Sequence, residues 1–487
     1  MQVSNAYKIR GMLQTELKLL AWREKAKERR IKIWALTKRL QEVIEGRENY
    51  KAKYKALKIE NECLKKELRQ SSKVSNASKT KVKHHSYSAE EISFFLNLRT
   101  IGGCSFRGCL RVLKVLNLIL ELNIGRPSPS TIRLWEIKMG YQKIQQQCKD
   151  VTSDWVLILD ESVHVGSQKI LLLIGVNLGN YIFSAPLIMQ DVEVLGIWIN
   201  SSWKAEEIKP VIDSVLKRNY KFRYCCCDNG NNLRKVLRMS KMIHIEDCGH
   251  CLGNLLEKKY KKDLKYQEFN AQKTRFIKQN LLSKYALFLP PKQRRKGRFL
   301  NLWPTCKWAM KVFQLAQSWQ QKRVKSNDFE KIKWILDFEE LIKNLHKEQA
   351  LINGINKILK TEGLSEESKN KCEELIKESE VNPYIKGEIG DYLERNLNKL
   401  PQAQTVICSS DIIESIFGKL KNKLAENSSS GLTEGSLAMA NYGQKITEQA
   451  AKNGMEEVKI VEINEWRKNN LPISLQRQKR DIFKNTG

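Results

Sequence analysis

The sequence predicts an α/β protein: a mixed sheet in the order β-β-β-α-β-α-β plus helices, carrying a large all-α insertion and preceded by a coiled coil and a small helical domain. Three observations carry that expectation. Residues 154–190 hold three apolar runs rich in β-branched side chains, residues 202–247 alternate amphipathic with apolar segments, and residues 33–68 repeat apolar side chains every seven positions.

Bulk properties narrow the class. Hydrophobic residues make up 41% of the 487 and include 11 Trp, enough for a substantial core. Lys and Arg outnumber Asp and Glu by 86 to 54, a net +32 that points to a polyanionic partner, because each neutralised phosphate releases counterions. No run approaches the roughly 20 apolar residues that span a bilayer, and MQVSNAYKIRGMLQTELK lacks a signal-peptide core. The 12 cysteines include the consecutive Cys225, Cys226 and Cys227 in an apolar run, the usage of small buried hydrophobes in a reducing compartment. The expectation is an intracellular, DNA-associated protein (nucleoid or cytoplasm if bacterial) with no membrane segment.

The heptad series are Ile33, Leu40, Arg47, Tyr54, Asn61, Leu68 and Leu36, Val43, Tyr50, Leu57, Leu64. With charged residues elsewhere on the helix, this is a coiled-coil seam, and Asn61 fixes register and favours two strands. Residues 1–70 are therefore read as a basic oligomerisation region forming a homodimer or higher homo-oligomer. Residues 71–87, rich in Ser and Lys, read as a flexible linker.

Order resumes in an 88–148 domain. Ser-Ala-Glu-Glu from Ser88 makes a capping box with Glu91, and helices are expected at about 89–100, 106–123 and 131–145, the last with Ser130 as N-cap. This is a helix-turn-helix-like layout. Thr131, Arg133 and Lys138 of the third helix would then face DNA while Ile132 and Trp135 pack inward. The alternative is a helical bundle that only supports the next domain.

The sheet begins with three strands forming a meander, DWVLILDES (154–162), QKILLLIGVNLG (168–179) and NYIFSAPLIMQ (180–190). A helix at 202–218, a strand FRYCCCDNG (222–230), a helix at 231–239 and a strand MIHIED (242–247) follow. This is the order of elements in the RNase H-like fold. Asp160 stands inside VLILDES, and a carboxylate in an apolar strand is costly unless paired or metal-bound. Asp228 ends YCCCDNG, and Glu414 lies in CSSDIIESIFGKLKNKL.

With these acids in that order, the chain resembles the DDE/D transposases, of insertion-sequence type with some hAT- and Mutator-like features. Ser-Ser-x-x-x-Glu-x-x-Phe-x-x-x-Lys around Glu414 resembles the family's last catalytic helix. The resemblance implies an RNase H-like core in two parts (150–251 and 406–425), an all-α insertion (252–405), and Asp160, Asp228 and Glu414 as catalytic metal ligands. It implies two Mg²⁺ or Mn²⁺ ions per site, and element ends and target DNA as partners. The chemistry agrees: phosphodiester transfer loads charge on attacking and leaving oxygens, which two hard cations about 4 Å apart relieve through oxygen ligands. Asp411, three residues before Glu414 and on much the same helix face, competes for the third position. Pleating turns Glu161 away from Asp160.

In IEDCGHCLGNLL, Asp247-x-x-His250 resembles a signature after the last strand of hAT- and Mutator-like enzymes, which implies a DNA-side His250. Cys248-x-x-Cys251 with His244 and His250 is alternatively half of a zinc site. The loop PPKQRRKGRFLNLW (290–303) sets Arg294, Arg295, Lys296 and Arg298 beside Trp303, suited to phosphate contact and base stacking, or else is a solvated loop anchored by its Trp. Residues 426–487 read as a helical segment and basic tail.

Metal-dependent DNA cleavage and strand transfer is the leading expectation. An RNase H-like nuclease without strand transfer and a catalytically inactive, transposase-derived DNA-binding protein are the alternatives.

Overall fold

The computed structural model describes residues 22, 26–27, 29–30, 33–34, 36–41, 43–63, 80–120, 124–165, 168–292, 302–400, 404–425, 432–471, 473 and 475–484. The chain divides into two units, Met1–Lys79 and Thr80–Gly487. In the first, residues 43–63 are one helix (α1). The seam residues Val43, Tyr50, Tyr54 and Leu57 of α1, and Leu40 before it, are exposed.

The second unit opens with helices α2 (Ala89–Thr100), α3 (Phe106–Leu120) and α4 (Pro129–Gln145). The Ser88–Glu91 capping box forms as the sequence dictates, with the Ser88 hydroxyl accepting from Glu91 N–H and the Glu91 carboxylate from Ser88 N–H. Helix α4 starts earlier than expected. Its N-cap is Ser128 rather than Ser130, because Pro129, with no N–H to lose, fits the first helical position. The expected linker is also shorter: the described residues from Thr80 belong to the second unit, with Val82 buried and Lys81 bridged to Ser88.

The sheet follows: β1 (Trp155–Val165), β2 (Gln168–Asn177), β3 (Glu193–Asn200), α5 (Ala205–Leu216), β4 (Phe222–Cys227), α6 (Asn231–Met239) and β5 (His244–Glu246). The strands lie in the order β3-β2-β1-β4-β5. Neighbours β1–β2 and β2–β3 are antiparallel, whereas β1–β4 and β4–β5 are parallel. The third strand is not 180–190. That segment is turns and irregular backbone, broken by Pro186, which cannot donate to a ladder, and the strand is EVLGIWIN further on.

Both faces of the sheet are covered, which is why VLIL and CCC show no polar alternation. Trp155, Leu157, Leu159, Cys225 and Cys227 share one core with Ile208, Ile212, Val215, Leu233 and Val236 of α5 and α6. Pleating turns Val156, Ile158 and Asp160 of β1, with Tyr224 and Cys226 of β4, to the opposite face. There the Tyr224 hydroxyl accepts the Ile407 N–H at 2.6 Å.

Between β5 and the last sheet-associated helix the described elements are helical: α7 (Cys248–Tyr260), α8 (Leu264–Asn280), α9 (Trp303–Gln321), α10 (Asn327–Ile332), α11 (Glu339–Glu362), α12 (Glu366–Glu378) and α13 (Pro383–Leu397). Helix α11 ends at Gly363, whose φ of +72° suits a residue without Cβ. Leu364 then pairs with Val406, returning the chain to the sheet and to α14 (Asp411–Ala425).

The C-terminal segment is no loose tail where it is described. A 3-10 segment (Glu434–Asn441) and helices α15 (Glu448–Glu457), α16 (Ile460–Asn470) and α17 (Leu475–Lys484) follow α14. Ile446, Ala451 and Met455 share a core with Ile92, Phe95, Ile132 and Trp135. At Gly140 an added Cβ would sit 2.0 Å from the Leu437 carbonyl oxygen, so α4 and the 3-10 segment touch backbone to backbone.

Candidate metal and DNA-processing site

The parallel register places two acids side by side. Ile158 pairs with Cys226, so Asp160, two residues on, stands abreast of Asp228, which follows β4 directly. Asp228 stands at the C-terminal end of β4, and Asp160 lies within β1 just past the point where its pairing with β4 stops, beside the end of the parallel strands at which ligands collect. Asp160 is half-buried, and its carboxyl is pushed up to about 8, first by burial and then by the Asp228 and Glu414 carboxylates, with His250 opposing. A hard divalent cation is the partner that such mutually repelling oxygens fit.

The third acid arrives on α14, which packs against β1. Glu414 lies in its first turn with Oε1 3.8 Å from His250 Nε2. His250 Nδ1 sits 3.1 Å from Asp247 Oδ1, which also accepts the His250 N–H at 2.7 Å. The Asp247 hydrogen bond, against burial and reinforced by the charges of Asp247, Asp228 and Glu414, raises His250 to about 9. At neutral pH it is an imidazolium facing three acids, Asp247, Asp228 and Glu414.

Asp247 is fully buried. Burial pushes its pKa up, but the hydrogen bonds and charge of His250 and the Ser410 N–H outweigh it and hold the carboxyl below the usual range. Its other oxygen accepts from Ser410 N–H at 2.5 Å and Ser410 Oγ at 2.8 Å. One carboxylate thus caps α7 and fixes the lead-in to α14.

Asp411 is engaged elsewhere, ion-paired with Lys360 of α11. Glu161 pairs with Lys169 at 3.1 Å, pointing away from Asp160 as pleating requires. The half-zinc alternative does not assemble: the Cys248 thiol is against Cys408, Cys251 Sγ is 3.6 Å from Glu246 Oε2, and His244 Nε2 is 3.3 Å from the Cys227 carbonyl. Among the described residues no three His, Cys, Asp or Glu side chains are close enough to hold one ion together.

The expected DNA contacts outside the centre fare differently. Lys138 is buried and donates to the Met455 carbonyl at 3.0 Å, so it does not face a groove. Arg133 is partly exposed and ion-paired with Glu434 at 2.7 Å, and Thr131 joins the Ser128 cap at 2.8 Å. Helix α4 is enclosed over most of its circumference and lacks the open face of a recognition helix. Arg294, Arg295, Lys296 and Arg298 lie outside the described residues. Trp303 opens α9 and packs on His346 with ring centroids 5.1 Å apart, and Lys307 lies over its ring.

Sequence reasoning quoted Asp247 only as part of a motif and missed its hold on Ser410. The signal was present in the second serine of Ser409-Ser410 and in the Asp-x-x-His spacing of an N-cap. Lys360 carried no such mark.

A Drosophila P element transposase strand transfer complex is similar to this chain at 13% sequence identity with a TM-score of 0.38, covering 78% of this chain and 97% of that one. No protein-family model matches the sequence. No curated protein matches it.

Proposed function

We propose that the chain is a DDE-type transposase that cuts and rejoins DNA phosphodiester bonds at one metal centre. The observation that carries this reading is the juxtaposition of Asp160, within β1, and Asp228, directly after β4, on adjacent strands, with Glu414 brought to the same face by α14. The element order of the sheet supports an RNase H-like core with α7–α13 as an insertion before the last acid.

In this reading Asp160, Asp228 and Glu414 hold Mg²⁺ or Mn²⁺. Bound there, the ions would polarise the attacking oxygen and offset charge on the leaving oxygen. The chain's own residues do the rest. Asp160 and Asp228, fixed by paired strands, set the spacing of the oxygen donors. His250, locked by Asp247, orients Glu414 and adds a positive charge beside the DNA. Asp411, neutralised by Lys360, is left out of the ligand set. The heptad seam of the first unit pairs two copies, so that two DNA ends are handled together.

Manganese titration tests the centre without DNA. Wild type should bind Mn²⁺, seen by loss of the free-ion paramagnetic signal, and Asp160→Asn should weaken binding at least tenfold. Equal binding by both proteins would remove Asp160 from the centre. The absence of a three-residue cluster among the described residues favours one other reading, a DNA-binding protein that no longer cuts. It requires wild type itself to bind no metal.

A further inference from the structure

Beyond β5 the sheet edge opens into a cleft of about 480 Å³ that begins at Asn229, the residue after Asp228. One wall is α6, which presents Arg234 and Arg238 one helical turn apart, both exposed. The facing wall is α13 and its end, with Arg395 and Lys399, also four residues apart. Among the described residues Arg234 and Arg238 have no carboxylate partner. Arg395 and Lys399 share the single acid of the cleft, Glu246, at 3.0 and 3.3 Å. Four basic side chains therefore face each other across the cleft with one carboxylate between them, and Leu237 and Met242 contribute apolar lining.

A structural role accounts for half of this arrangement only. The Glu246 pairs tie α13 to the sheet, whereas Arg234 and Arg238 tie nothing. Two rows of cations along an open channel match an extended polyanion better than a compact ion, because successive phosphates can contact both walls. We infer that this cleft is a backbone-binding track for a DNA strand running past Asp228, with Arg234 and Arg238 contacting phosphates. Its meaning for catalysis rests on the metal-centre reading, but its occupancy is testable without metal.

The test is a salt titration of DNA binding in EDTA, read by anisotropy of fluorescent 30-nucleotide single-stranded and 30-base-pair duplex probes. The full chain is compared with Arg234→Ala/Arg238→Ala and with a control that removes two exposed lysines outside the cleft, Lys217→Ala/Lys322→Ala. The slope of log affinity against log salt should fall by roughly 1.4–1.8 in the arginine variant and stay unchanged in the control, since each lost phosphate contact removes about 0.7–0.9. Thermal melts check that both variants fold. An unchanged slope in the arginine variant, or an equal fall in the control, overturns the assignment. So does inorganic tripolyphosphate binding that the arginine variant loses while its DNA slope is intact, because the cleft would then serve a free polyphosphate. Wild type that binds Mn²⁺ but no DNA sinks the track and leaves the metal centre standing. A fallen slope without Mn²⁺ binding does the reverse.

Discussion

The Asp247 carboxylate accepts both the backbone N–H and the hydroxyl of Ser410, at 2.5 and 2.8 Å, across 163 positions of sequence. Since its other oxygen holds His250 at 2.7 and 3.1 Å, one buried side chain sets the spacing between α7 and α14, and with it that between His250 and Glu414.

Asp247→Ala should therefore be costly in stability, about 3 kcal/mol, because it orphans two backbone N–H groups and removes the carboxylate that holds the half-buried His250 imidazole. Urea unfolding measures the loss. Asp247→Asn should keep most of the fold but lower the His250 pKa from about 9 toward its ordinary value, readable in the imidazole proton resonances. An unmoved His250 titration would mean that Asp247 is not what raises it.

Gly140→Ala should destabilise the second unit by roughly 2–4 kcal/mol, because the new methyl meets a carbonyl oxygen at 2.0 Å and two backbones must separate. A melting temperature within a degree of wild type would show that α4 is not seated against Glu434–Asn441.

Acid should loosen the tie between α13 and the sheet. Burial raises Glu246, but Arg395, Asn229 and Lys399 outweigh it and hold the carboxyl down at about 2. A depressed carboxylate pKa gives stability that is fully present above the unfolded value, near 4.5, and is lost as pH falls from there through about 2. Wild type should lose more urea resistance between pH 6 and pH 3 than Glu246→Gln does. Equal losses would exclude Glu246 as a source of acid sensitivity.

Oligomerisation is expected to depend on the seam. Leu40 and Leu57 are exposed on the first unit, and Asp at both positions should convert the oligomer to a monomer in sedimentation equilibrium. Wild type that is itself monomeric at tens of micromolar would refute the seam.

The side-by-side placement of two acids was legible because an acid in an apolar strand is conspicuous: VLILDES and YCCCDNG mark two adjacent strands, and pleating alone separates Asp160 from Glu161. Local signals also placed the Ser88 capping box and α6. The third strand was misplaced because NYIFSAPLIMQ is as apolar as a strand, while Gly196 thins the pattern of the true one. The burial of α4 was illegible for a different reason. Its Lys138 and Gly140 look solvent-ready in sequence, and the residues that cover them, Met455 and Leu437, lie about 300 positions away. Asp411 and Glu414 could not be separated by spacing, and the ion pair that engages Asp411 with Lys360 is visible only in three dimensions.

The most direct test of the metal-centre reading is cleavage of supercoiled plasmid with Mg²⁺ or Mn²⁺ by wild type, Glu414→Gln and Asp411→Ala. Wild type and Asp411→Ala should convert the plasmid to nicked or linear forms, and Glu414→Gln should be slower by at least about 100-fold, the scale of losing a group that acts on the reacting atoms. Cleavage that survives Glu414→Gln, or that is lost with Asp411→Ala instead, would contradict the account.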